Sequence, residues 1–180
     1  MAVEILVMLC DDRLPTCQEW QRAIDAAAID IKLEQIDDLR SHSGFLPAQI
    51  DGNDSGFEWY YGTIADVLDE GFEGPSEYDH AAGFVIHGDL QELACALLAA
   101  GCLANAADGV FFDEEAGAFV SGDRAIEIAR GIDKSERDRR YRLAAKDARI
   151  TDQRCPSCGA PCPSYRKTCK VCGVEVRRSI

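Results

Sequence analysis

Basic residues are scarce through most of this 180-residue chain: residues 1–133 hold 6 Lys and Arg against 27 Asp and Glu, a net charge of −21. Such a surface repels nucleic acid over most of its area and favours a basic partner. Long apolar runs are lacking too. None approaches the roughly 18 residues of a membrane span, so no membrane partner is expected. Met1–Cys10 is apolar but has no basic n-region and no small-residue cleavage site, and is read as a first strand rather than a signal peptide. G-x-S-x-G, a Walker loop, G-x-G-x-x-G and H-E-x-x-H are all absent. Three histidines occur, His42, His80 and His87, without H-x-x-x-H spacing. No motif therefore supports catalysis. No internal repeat or low-complexity segment is present either.

What the chain does have is an ordinary globular composition, 47% apolar and 28% charged. Its length suits one domain with a sizeable core plus a small appendage. Nine cysteines without a secretory signal point to a reducing compartment, the cytoplasm. Cys10, Cys17, Cys95 and Cys102 fall at apolar positions and are expected to be small buried hydrophobes.

The tail carries the most specific spacing. Cys155 and Cys158 form one C-x-x-C pair, Cys169 and Cys172 another, with ten residues between Cys158 and Cys169. Four thiolates are what a tetrahedral Zn²⁺ takes in a closed structural site. Gly159 and Gly173 follow each pair where the chain must turn back. A segment this short has little core, so metal binding would supply most of its folding free energy, about 10–16 kcal/mol. Cys162 breaks the paired spacing. The segment resembles the short four-cysteine zinc ribbons appended to many bacterial and archaeal proteins, which serve nucleic-acid contacts, protein contacts and stapling alike.

Val3–Cys10 reads as a buried strand. Thr16 with Glu19 is a capping box opening a helix over 16–29. A less regular strand spans Ile31–Ile36. Residues 37–56 show no helical period and are rich in Gly, Pro, Ser, Asn and Asp, which predicts a long loop. Phe57–Ile64 reads as a strand with Phe57, Trp59 and Tyr61 on the core face and Glu58 and Tyr60 opposite. A short helix over 65–72, a strand over 81–87 and a long apolar helix over 89–107 follow. In that helix Ala94, Ala100 and Gly101 are expected to allow close approach to the sheet. Val110–Phe112 and Ala118–Val120 form a hairpin, and Ser121 caps a helix expected to run on to about Arg149.

This order predicts an α+β fold: a ferredoxin-like antiparallel or mixed sheet with helices on one face, a long charged C-terminal helix and a small zinc ribbon. The expected division is an acidic domain (1–133), a charged helical stalk (134–150) and the ribbon (151–180). Residues 134–180 hold 13 Lys and Arg against 5 Asp and Glu. Opposite charges on the two halves would attract.

Asp51, Asn53, Ser55 and Gly56 match four positions of a calcium loop, but Gly62 stands where its bidentate carboxylate belongs, so a turn is expected. Partner contact is assigned to His42, Phe45, Asp51, Asp54, Glu58 and Tyr60, because rigid aromatics among acids make good anchors for a basic protein. Gly44-Phe45-Leu46-Pro47 through Ser55-Gly56-Phe57-Glu58, with Glu92–Gly109 and the D-E-E-A-G hairpin, resembles small bacterial immunity proteins. That resemblance implies a non-catalytic protein that neutralises a basic toxin. A second reading has Arg137, Arg139, Arg140, Arg142, Arg166, Lys167, Arg177 and Arg178 grip nucleic-acid phosphates. An enzyme is the third.

Overall fold

In the computed structural model, residues 3–67, 75–87, 90–113 and 117–132 are described. The chain divides into two compact units, Met1–Asp133 and Lys134–Ile180. The charged stalk, the four ribbon cysteines and the eight cationic residues of the second reading lie outside the described residues.

The first apolar run becomes strand β1 (Val3–Leu9), with Ile5 through Leu9 all buried. A 3-10 turn at Asp11–Arg13 leads to helix α1 (Cys17–Ala26). Its capping box forms as read: the Thr16 hydroxyl accepts from Glu19 N–H at 3.2 Å, and Glu19 Oε2 accepts from Thr16 N–H at 2.9 Å. Strands β2 (Ile31–Leu33), β3 (Gly44–Ile50) and β4 (Asn53–Thr63) follow, then the short α2 (Ile64–Val67) and β5 (His80–Ile86). Helix α3 (Leu90–Ala106), the β6 (Val110–Asp113) and β7 (Ala118–Val120) hairpin and α4 (Gly122–Arg130) complete the described elements.

The seven strands form one sheet in the order β2-β3-β4-β5-β1-β6-β7. Every pairing is antiparallel, so the α+β class stands and the sheet is not mixed. Strands β2 to β5 run as a meander, β5 returns to pair with β1, and β6 borders β1 on its other side. One alternate set of strand residues, among them Val7, Leu46, Phe57, Trp59 and Phe84, joins residues of α1, α3 and α4 in a single core. Trp20 of α1 packs 5.4 Å from Trp59 and 6.0 Å from Phe84, centroid to centroid, and its Nε1–H donates to Ala99 O at 2.9 Å. Burying these rings contributes about 2–3 kcal/mol each before entropy is counted.

Four expectations are corrected. Residues 44–56 are not loop: they hold β3, a two-residue turn and the start of β4. Helix α3 is buried on every side from Ala94 to Ala104 rather than along one stripe, since α1, α4 and the sheet all flank it. Gly101 serves α4 and not the sheet, because a Cβ there would stand 2.7 Å from both Gly122 O and Ile126 Cγ1. Finally, α4 ends at Arg130, so no continuous helix runs from 122 to 149.

Candidate partner-binding face

Strand alternation sorts the sheet into two faces, and the face turned from the helical core collects most residues assigned to partner contact. Phe45 lies directly opposite Glu58, Gln49 opposite Asp54, and Tyr60 opposite Gly83. Phe45 is 55% exposed, the larger of the two exposed big hydrophobes among the described residues. Its ring is held rather than loose: it rests over Gly56, where a Cβ would collide with it. Tyr60 lies in the same way across Gly83, and its hydroxyl donates to Glu4 Oε1 on β1. An aromatic laid over a glycine on the neighbouring strand fixes the ring at small entropic cost. His87, just past β5, approaches Glu58 with Nε2 at 3.1 Å from Oε1. The face therefore presents two ordered aromatics among Glu4, Asp54 and Glu58.

Asp51 is not part of it. Asp51 and Gly52, at φ 52° and 74°, form the turn between β3 and β4, with Ile50 paired to Asn53 across it. These are the left-handed conformations of a type I′ hairpin turn, in which Asp-Gly is favoured. The calcium-like match is this hairpin. His42 is not brought to the face either. It sits half-buried in the loop before β3, its N–H donating to Asp38 O at 3.2 Å, with Nε2 shielded and unpartnered among the described residues.

That loop is fixed by a polar network at the opposite side of the core. Trp59 Nε1–H donates to Leu39 O at 2.9 Å, and Arg40 Nε donates to Asp11 Oδ1 at 2.9 Å. Tyr61 donates its hydroxyl to the same carboxylate oxygen at 2.9 Å, and its ring stacks on His80 at 5.2 Å. The Arg40 hydrogen bond, then that of Tyr61, holds the Asp11 carboxyl below its ordinary range. Burial, reinforced by Asp11, pushes the Tyr61 phenol up. His80, bonded through Nδ1 to Asp79 at 3.0 Å, holds that carboxyl low, as does the Asp11 N–H. Among the described residues no hydroxyl or thiol hydrogen-bonds to His80. The network orders a loop.

Cys17, Cys95 and Cys102 are buried as expected, and burial raises the Cys102 thiol to about 11. Cys10 is only half-buried, its Sγ donating to Glu77 O at 3.2 Å, because it ends β1 where the sheet opens into the 3-10 turn. Among the described residues no group of His, Cys, Asp and Glu is placed to hold a metal, and no helix is long and apolar enough to cross a membrane.

Comparison with protein-family models, with curated proteins and with solved structures finds no match to this chain.

One signal in the sequence points at the face without the structure. Between Arg40 and Arg124 stand 83 residues with 16 Asp and Glu and no Lys or Arg. Strands β3, β4 and β5 all come from that interval.

Proposed function

We propose that the chain is a non-catalytic binding protein of the immunity type, whose acidic domain occludes a basic protein partner. The observation that carries this reading is Phe45, an exposed yet ordered aromatic set opposite Glu58 on strands without any Lys or Arg. Rigid aromatics framed by carboxylates suit a basic surface, the ring giving affinity and the charges orientation and encounter rate. The fold is read as ferredoxin-like, with three meander strands enclosed between β1 and β2. Residues 151–180 act as a four-cysteine zinc ribbon that staples the end or adds a contact, through Cys155, Cys158, Cys169 and Cys172.

The test is capture from the source cells on the immobilised full chain. A protein of high isoelectric point should be retained at low ionic strength and released near 0.5 M salt, where the screening length falls to about 4 Å. It should be lost from F45A/E58Q bait. Recovery of no basic protein, or equal recovery on the variant, overturns the reading. Elemental analysis should return about one zinc per chain, and none after all four cysteines are changed to serine.

A further inference from the structure

We propose that the groove beside Phe45 receives an arginine side chain of the basic partner; this rests on the binding reading above and names its anchor. The groove is an open cavity of about 580 Å³ between the β2–β3 edge, the start of β4 and the first turn of α3. That volume falls within the range of ligand pockets and accommodates a long side chain with its flanking peptide. Phe45 and Pro47 give it an apolar wall, while among the described residues Glu34, Asp54 and Glu92 line it together with Lys32. One Asp54 oxygen already accepts from Gln49 Nε2 at 3.0 Å, and an acidic lining of this kind suits a cationic group.

One detail favours guanidinium over ammonium. The exposed Phe45 ring offers a flat surface for stacking, which arginine uses better than lysine. The walls are fixed relative to each other, since buried Gln91 of α3 donates to Asp54 O at 3.0 Å.

The experiment is a ¹⁵N–¹H titration of the full chain with acetyl-Gly-Arg-Gly-amide and its lysine and citrulline counterparts. The arginine peptide should shift the amides of Lys32, Glu34, Gln49, Ser55 and Glu92 saturably in the millimolar range. Citrulline, neutral but of the same shape, should bind at least about tenfold more weakly, and lysine should fall between. D54N and E92Q should each weaken the arginine peptide; D54N, on a strand, guards against a helix-start effect in E92Q. Equal binding of arginine and citrulline, or shifts confined to Glu58, Tyr60 and His87, overturns the groove assignment while leaving the face as the binding surface. No saturable shift anywhere up to about 20 mM overturns the groove, and the basic-partner reading then stands or falls on the capture experiment alone.

Discussion

Phe45 and Gly83 make opposite demands at the scale of single residues. Phe45 is mostly in water, so F45A should cost less than about 1 kcal/mol of stability in urea unfolding while abolishing partner capture. Gly83 has Tyr60 lying over it, so G83A must displace the ring and break its bond to Glu4. We expect a loss of about 1–3 kcal/mol, with Tyr60 fluorescence or chemical shift reporting the displaced ring. Asp11 sets a pH dependence. Its folded pKa is depressed by Arg40 and Tyr61, so its contribution is complete well above pH 4 and fades as the pH falls through and below that value. Tyr61 works in the other direction: its folded pKa is raised, so its contribution holds below pH 10 and is lost as the pH rises past it. Urea midpoints measured against pH should show both limbs; D11N should flatten the acid one and Y61F the alkaline one.

Individual elements show what is legible in the sequence. Val3–Leu9, the Thr16–Glu19 cap and the alternation of Phe57, Trp59 and Tyr61 each state a period or a cap within a few residues, and each can be read locally. Strand β3 cannot. Pro47 argues against a strand, yet here its carbonyl accepts from Glu34 N–H at 2.9 Å, so its missing N–H points to the same side, past the last β2 pair at Leu33 and Ala48. The ladder to β4 therefore loses nothing, and the Asp51-Gly52 turn is the clue that a hairpin lies there. G52A should cost about 1 kcal/mol, because alanine must enter the left-handed region at φ 74°. Gly101 illustrates a tertiary demand that no local pattern announces: it lets α4 press its backbone against α3. G101A should destabilise by about 1–3 kcal/mol, more than alanine's helix propensity returns.

Over the whole molecule, charge partition is the plainest feature: −21 over residues 1–133 and +8 over 134–180. That partition is legible from residue counts alone, whereas the candidates Phe45, Asp54, Glu58 and Tyr60 come from aromatics standing among acids. That Phe45 and Asp54 join Glu58 and Tyr60 on one face is not legible, because the register of β3 on β4 is fixed by long-range pairing. The same pairing places Asp51 in a turn and leaves His42 off the face. The central claim is that the outer face of β3 and β4 meets the partner, and amide hydrogen exchange of the full chain with its captured basic partner tests it most directly. Protection should rise over Gly44–Ile50 and Asn53–Thr63, and should be absent from the F45A/E58Q variant. Protection confined to residues 134–180, with those two strands unchanged, would contradict it.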